Sequence, residues 1–163
     1  MTQPRRKDRA APDDDGGSAH EILELERFLP YRLSVVSNHI SQTIANAYAE
    51  RFGISITEWR VLAVLGRYPE LSANGVAERT AMDKVAVSRA VARLLKTGMI
   101  ERETHDSDRR RSVLRLSAAG YRVYDQVAPM ALDYERRLLA GFSDAERATL
   151  AELLERLDEA SRP

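Results

Sequence analysis

Apolar residues recur at three- and four-residue steps along most of the chain, and this spacing places them on one face of an α-helix. The first such stretch covers residues 21–52. Within it we expect Pro30 to open the main helix, because a proline in the first turn loses no helical hydrogen bond. Gly53 is expected to stop that helix. A second helix is predicted at residues 57–68, where Pro69 ends it.

Two short helices separated by a tight turn are predicted next, at residues 72–79 and 83–97. Ser72 and Asp83 stand at the expected N-caps, since their side-chain oxygens accept hydrogen bonds from the free N–H groups of a first helical turn. Gly98 supplies the left-handed residue that ends the second helix. A short helix, a turn and a second helix are typical of a protein that lays a helix in the DNA major groove.

Residues 100–104 and 112–116 are predicted to be extended, and the loop between them is rich in arginine. Two strands after such a helix pair form a β-wing. A long helix then runs from its cap at Ser117 to about Ala140, where Gly141 stops it. The sequence Ser-Asp-Ala-Glu at residues 143–146 is a capping box that starts a last helix. The apolar seam of this helix consists of Leu150, Leu153, Leu154 and Leu157.

These elements predict a mainly α fold with a small β-wing, in which a winged helix-turn-helix domain is joined to N- and C-terminal helical regions. Residues 55–117 are interpreted as the DNA-binding domain, and residues 20–54 together with 118–161 as a dimerisation region. The leucine seam needs a partner, which is either the same chain or a second copy. We favour a homodimer, because two copies spaced one DNA turn apart read a pseudo-palindrome.

Residues 1–19 consist largely of proline, arginine, aspartate and glycine, so they bury too little apolar surface to offset their ordering entropy. We expect them to form a disordered arm. The basic run at residues 5–7 of this arm is either a solvated tail or a non-specific DNA contact.

Charge is distributed unevenly along the chain. Its 163 residues carry 25 basic and 25 acidic side chains, and this zero net charge argues at first against a nucleic-acid partner. Between Lys84 and Arg115, however, nine bases face four acids, which gives a local net charge of +5. Because screening at physiological salt limits the reach of distant acids to about 8 Å, such a surface still attracts phosphates.

Several function classes are disfavoured by the composition. The chain has no cysteine, which removes disulfides, thiol catalysis and cysteine-ligated metals. Its three histidines, His20, His39 and His105, show no metal-ligand spacing. Nucleophile-elbow, P-loop and dinucleotide-binding motifs are absent, so we expect neither catalysis nor a cofactor. No apolar run suits a membrane span or a signal peptide, so we expect a cytoplasmic protein without a membrane partner.

The second helix of the pair carries small, polar and basic residues away from its apolar stripe. The candidate DNA contacts on it are Lys84, Ala86, Ser88, Arg89 and Arg93. Ser88 and Arg89 are expected at base edges or phosphates, and the small Ala86 permits close approach to the groove. An arginine that is bidentate to guanine contributes about 1–3 kcal/mol of base discrimination. The alternative is an ordinary amphipathic helix with solvated bases.

The loop between the strands supplies a second set of candidate DNA contacts, which are Asp108, Arg109, Arg110 and Arg111. A basic wing tip suits phosphate contact or insertion into an adjacent minor groove. Asp108 is expected to pair with a neighbouring arginine and hold it extended. The alternative is a solvated charged turn.

A third set of residues suggests a pocket for a small aromatic acid, since a binding cleft combines aromatic walls with a few polar groups. Its candidate ligand-binding residues are Tyr31, Arg32, His39, Trp59, Arg60 and Tyr121. The alternative is core packing for Trp59 and ordinary surface for His39.

Three stretches resemble the MarR (multiple antibiotic resistance regulator) family of winged-helix repressors. They are AMDKVAVSRAVARLLKTGMIERE at residues 81–103, DRRRSVLRLSAAG at residues 108–120 and FLPYRLS at residues 28–34. The resemblance extends over residues 21–161. It implies an obligate homodimer in which both termini form the dimer region, and two winged lobes that engage a pseudo-palindromic operator in double-stranded DNA.

The resemblance also implies roles for particular residues. The family pattern has an aspartate and, two residues later, an arginine in the wing, and Asp108 and Arg110 match that spacing. A serine or threonine followed by arginine in the recognition helix corresponds to Ser88 and Arg89. Many members release DNA when a phenolic or aromatic carboxylate binds between the dimer helices and the DNA lobe. Sensing of oxidants through cysteine is excluded here, because the chain has none.

We therefore expect a dimeric, sequence-specific DNA-binding transcriptional regulator that represses transcription and is released by a small aromatic or phenolic ligand. Two alternatives stay open, namely a winged-helix module that binds only proteins and a DNA-binding protein that no ligand controls. A protein-binding module has no need for the arginines at residues 109–111 beside Ser88 and Arg89.

Overall fold

The computed structural model describes residues 21–104 and 112–162, which form six helices and two strands. In chain order these elements are α1 (Leu29–Phe52), α2 (Ile56–Arg67), α3 (Ala73–Thr80), α4 (Lys84–Lys96), β1 (Ile100–Thr104), β2 (Ser112–Leu116), α5 (Ala118–Leu138) and α6 (Asp144–Ser161). The chain divides into two units, of which the first ends at Val36. The predicted mainly α fold with a small β-wing is confirmed, while the arm at residues 1–19 lies outside the described residues.

The predicted helix signals are present as hydrogen bonds and backbone angles. Ser72 Oγ accepts a hydrogen bond from the Gly75 N–H at 3.0 Å and so caps α3. A carboxylate oxygen of Asp83 accepts from two N–H groups of α4, at 2.9 and 3.0 Å. Gly53 and Gly98 have φ angles of +65° and +69°, which side chains with a Cβ rarely adopt, and they end α1 and α4 as predicted.

The two strands form an antiparallel wing with Ile100 opposite Leu116 and Thr104 opposite Ser112. Their bounds are those predicted from the sequence. A third segment joins the wing, because the Leu114 N–H donates to the Leu71 carbonyl at 2.8 Å. This bridge was not predicted. It ties the segment between α2 and α3 to β2, and it fixes the wing against the helical core.

The core lies where α2, α4 and α5 meet the wing. Its fully buried aliphatic side chains are Val61, Leu62, Leu65, Val76, Val87, Val91, Leu94, Ile100, Leu114 and Val127. Burial of one such side chain contributes about 1.5–3 kcal/mol. At the α2–α5 crossing the Tyr124 ring lies directly on Gly66, and a Cβ at that position would overlap the ring. A side chain at position 66 would therefore force the Tyr124 ring to move.

The last two helices differ from the sequence prediction at one boundary. Helix α5 ends at Leu138, before the predicted end near Ala140 and well before Gly141. The Arg147 side chain explains the early end, because it donates to the Leu139 carbonyl at 2.8 Å and to the Phe142 carbonyl at 3.0 Å. Over the described ranges, none of the helices combines the length and the apolar character needed to cross a membrane.

Candidate nucleic-acid interface

Packing of α4 against the core fixes which of its side chains face outward. The buried residues are Val87, Ala90, Val91 and Leu94, whereas the neighbouring Leu95 is only partly buried. Lys84, Ser88 and Arg89 are exposed, and Ala86 is half-buried at the edge of the outward face. Arg93 is exposed as well, so four of the five predicted contacts on α4 present their side chains to solvent, and Ala86 borders them.

The centre of the outward face carries residues that the sequence analysis did not select. Successive residues of an α-helix are rotated by about 100°, so the direction opposite the buried stripe can be counted along the sequence. The residues nearest that direction are Val85, Arg89, Ala92 and Lys96, and all four are exposed. Of these four, only Arg89 is among the predicted DNA contacts. Charge and polarity give no reason to expect a contact from Val85.

Arg93 is engaged within the chain. Its Nε lies 3.0 Å from Oε1 of Glu58, and its Nη2 donates to the Gly53 carbonyl at 3.4 Å. The other carboxylate oxygen of Glu58 accepts from the Ser55 N–H at 2.6 Å. Glu58 is only 2% exposed, so its charge depends on these partners. The pair ties the outward edge of α4 to the start of α2, and the sequence analysis did not predict it.

A shallow cavity of about 280 Å³ lies between the beginning of α2 and the outward side of α4. Arg89 and Arg93 both line it, together with Thr57 at the first turn of α2. Positive partial charge at a helix N-terminus and arginine side chains both favour an anion, and DNA phosphates are anions. Glu58 also lines the cavity and offsets the charge of Arg93, so the positive charge of the cavity comes mainly from Arg89.

The predicted DNA contacts of the wing are at its tip, and the base of the wing carries a separate set of charges. The predicted tip contacts Asp108, Arg109, Arg110 and Arg111 lie outside the described residues. At the described base of the wing, Arg115 on β2 lies between two carboxylates of β1, 3.2 Å from Glu101 and 3.0 Å from Glu103. These ion pairs neutralise the strand charges against one another, so Arg115 adds little positive potential.

Two of the candidate ligand-binding residues, Trp59 and Arg60, lie near Tyr48. Trp59 packs against Tyr48 and Tyr124, with ring centroids 5.8 and 6.0 Å away and ring planes tilted by 44° and 33°. Arg60 donates to Ser41 Oγ at 2.9 Å. Burial raises the pKa of the Tyr48 hydroxyl to about 12, and the nearby Arg60 opposes part of that rise. This part of α1 and α2 thus combines aromatic rings with a guanidinium.

The other four candidate ligand-binding residues are exposed. His39 and Tyr121 are exposed, on α1 and α5 respectively. Tyr31 and Arg32 belong to the unit that ends at Val36 and are exposed there. In residues 21–104 and 112–162, no cluster of three or more histidine or carboxylate side chains is arranged to hold a metal ion.

Comparison with known proteins gives consistent results. A family model described as the MarR family matches residues 52–111. The HTH-type transcriptional regulator BilQ of Clostridium symbiosum (strain WAL-14163) is 26% identical over 66% of this chain and 75% of BilQ. A putative transcriptional regulatory protein for the hcr operon of Thauera aromatica is 30% identical over 64% of this chain, and the match spans less than two thirds of that protein, 63%.

The similarity extends to a solved structure over nearly its whole length. The crystal structure of a MarR/EmrR family transcriptional regulator from Acinetobacter sp. ADP1 matches 85% of this chain and 97% of its own, with a TM-score of 0.78 and 30% identity. Both the wing and the helices on either side of it are therefore shared with that protein.

Proposed function

The chain belongs to the MarR family of transcriptional regulators, and on that premise we propose that it is a dimeric repressor that binds a pseudo-palindromic operator and is released by a small aromatic or phenolic acid. One observation carries the operator-binding part of the proposal. Four core side chains hold α4 so that an exposed face with Arg89 near its centre points away from the protein. A helix held in that way is suited to the major groove.

The proposed DNA contacts follow from exposure and chemistry. Arg89 contacts a guanine edge or a phosphate, Ser88 contacts an adjacent base or phosphate, and Lys84 contacts a phosphate near the start of α4. Ala86 allows the helix to approach the groove closely. Arg93 is paired with Glu58, and the exposed part of its guanidinium contacts a phosphate. Beyond the described residues, we propose that Asp108, Arg109, Arg110 and Arg111 form the tip of the wing at the minor groove.

A homodimer is proposed from the surface of α6. None of its residues is buried, and its four seam leucines are 38–47% exposed. Contiguous apolar surface of this kind is typical of a protein–protein interface. A second copy is the natural partner, because a two-fold dimer presents two α4 helices to the two halves of a pseudo-palindrome.

The proposed ligand site includes the cluster around Trp59. The partly buried ring of Trp59 favours a planar ring, and the guanidinium of Arg60 favours a carboxylate. Tyr31, Arg32, His39 and Tyr121 are proposed to complete the site in the dimer. A ligand that binds better to the DNA-free arrangement than to the DNA-bound one lowers operator occupancy.

Operator binding is tested with duplexes from the intergenic DNA that flanks the gene, by fluorescence anisotropy at several salt concentrations. The logarithm of the affinity should fall with the logarithm of the salt concentration by about 0.9 for each phosphate contact. Arg89→Ala should cost about 1–3 kcal/mol of operator binding. The control is Arg156→Ala on α6, which also removes an exposed arginine. Equal losses in the two variants, or equal affinity for an unrelated duplex, would contradict the proposal.

A further inference from the structure

Val85 is out of place on the outward face of α4. It is 55% exposed, although the rest of the face around it is formed by basic, polar or small residues. By the rotation of about 100° per residue it lies within roughly 10° of the direction opposite the buried stripe. No other residue larger than alanine on that face is apolar. A branched aliphatic side chain therefore points almost directly away from the core in the first turn of α4.

The surroundings of Val85 hold its two methyl groups in a defined place. Its N–H donates to the Asp83 carboxylate at 2.9 Å, so the first turn of α4 is anchored by its cap. A β-branched side chain in a helix has one strongly preferred χ1 rotamer, so its methyl groups point in a fixed direction. Such a side chain can make a contact at little cost in conformational entropy. Exposed lysine and arginine side chains lack this property.

The chemistry of the DNA groove indicates what such a side chain meets. The N-terminal residues of a recognition helix are the ones that reach base edges, and Val85 is the second residue of α4. Among the four bases only thymine presents a methyl group in the major groove. Contact between aliphatic groups removes both from water, whereas an aliphatic group opposite a polar base edge leaves donors and acceptors without partners.

We propose that Val85 is a specificity-determining residue that packs against the C5 methyl group of one thymine in each operator half-site. This inference rests on the proposed function, since it requires α4 to enter the major groove. It assigns part of the sequence preference to an apolar contact, beside the polar contacts of Arg89 and Ser88. It also predicts a thymine opposite the start of α4 in each operator half-site.

The experiment begins with a library of randomised DNA duplexes, from which the full-length chain selects its preferred sequence. Each thymine of the selected duplex is then replaced, one at a time, by deoxyuridine, which lacks only the C5 methyl group. For the wild-type chain one thymine per half-site should be sensitive. Its replacement should weaken binding about fourfold, the factor expected for burial of one methyl group, and replacement in both half-sites about sixteenfold.

Val85→Ala removes the proposed partner of that methyl group. The variant should bind the thymine and deoxyuridine duplexes with nearly equal affinity, because alanine lacks the two γ methyl groups that make the proposed contact. Val36→Ala is the matched control, since Val36 is a valine of nearly the same exposure, 54%, on α1. That control should keep the full deoxyuridine effect, whatever its absolute affinity.

Two results would overturn the inference, and they are distinguishable. If the wild-type chain selects a sequence but every deoxyuridine duplex binds as well as its thymine counterpart, or the effect persists in Val85→Ala, the Val85 contact is wrong while operator binding stands. If the library yields no preferred sequence, sequence-specific operator binding itself fails and the inference fails with it.

Discussion

Helices α2 and α6 begin with the same local motif and differ in what surrounds them. Each starts at a serine N-cap whose side chain accepts a hydrogen bond from the N–H of the third helical residue, a glutamate. The glutamate side chain in turn accepts a hydrogen bond from the backbone N–H of the serine. The pairs are Ser55 with Glu58 and Ser143 with Glu146. Helix α2 buries Val61, Leu62 and Leu65 completely, whereas α6 buries no residue.

The contrast shows that a capping box and an apolar stripe define a helix but not its partner. Glu58 serves both as the α2 capping residue and as the buried partner of Arg93 on α4. Glu146 serves only as a capping residue, in full contact with solvent. An exposed stripe of leucines indicates that the helix packs against another protein surface. Whether that partner is supplied by the same chain or by a second copy depends on the rest of the fold.

The largest effect is expected from a truncation in the α2 stripe. Leu62→Ala removes a fully buried side chain from the contact between α2 and its neighbours. The variant should lose about 2–5 kcal/mol of unfolding free energy, since a cavity is added to the lost transfer energy. Urea denaturation followed by circular dichroism measures the change. A loss below about 1 kcal/mol would mean that the site collapses around the cavity and that α2 is less central than its burial indicates.

A smaller effect is expected from the capping glutamate of α2. Glu58→Gln keeps an oxygen that can accept from the Ser55 N–H but removes the charge that pairs with Arg93. Because Arg93 is 64% exposed, we expect a loss of about 1–3 kcal/mol rather than the larger cost of a fully buried pair. Operator affinity should fall as well, because α4 loses its tie to α2.

The control for that variant is Glu101→Gln, which breaks an exposed pair with Arg115 in the wing. Exposed pairs contribute at most about 1 kcal/mol, so this change should be nearly neutral in the same denaturation experiment. Equal losses in the two variants would place the Glu58–Arg93 pair among ordinary surface pairs. The buried start of α2 would then have no special role in holding α4.

Much of the fold was predictable because its signals are local. The caps at Ser72 and Asp83, the stops at Gly53 and Gly98 and the capping box before α6 each depend on residues within one helical turn. The capping box of α2 has the same Ser-x-x-Glu spacing and could have been predicted in the same way, but the sequence analysis did not include it. The bridge from Leu71 to Leu114 was not readable, because it joins segments far apart in the sequence.

The candidate site was predicted less completely, for a related reason. Charge predicted Arg89 as a contact on α4 but gave no reason to expect Val85. Only the packing of the helix against the core shows that Val85 lies at the centre of the outward face. The same selection included Arg93 without its partner, since Glu58 lies on another helix. The domain boundaries and the wing-tip contacts at residues 108–111 stay predictions.

A third prediction concerns the exposed stripe of α6. Leu154→Ala shortens a side chain that is 47% exposed in one chain and is covered in the proposed dimer. Each copy should lose about 1 kcal/mol of interface burial, so the dimer dissociation constant should rise by roughly tenfold or more. Analytical ultracentrifugation over a concentration series measures this. Val85→Ala, on the outward face of α4, should leave association unchanged, and a wild-type chain that is monomeric throughout would refute the dimer.

The smallest effect is expected at the capping box of α6, and it appears as a dependence on pH. The backbone N–H of Ser143 donates to the Glu146 carboxylate at 2.8 Å, the Ser143 side chain adds a second bond, and together they lower the pKa of Glu146 below its usual value. Because the folded pKa is below the unfolded one, this stabilisation is present above about pH 4 and is lost as the pH falls through the folded value.

Glu146→Gln keeps an acceptor at the cap but cannot titrate, so its melting temperature should fall less steeply than that of the wild-type chain between about pH 5 and pH 3. Melting curves recorded by circular dichroism at each pH compare the two. Glu152→Gln is the control, because that carboxylate lies in the middle of α6 and has only an exposed partner, Arg156, at 3.8 Å. If Glu146→Gln and the wild type follow parallel curves, ionisation of Glu146 adds nothing to the stability of α6, and the expected pH dependence is wrong.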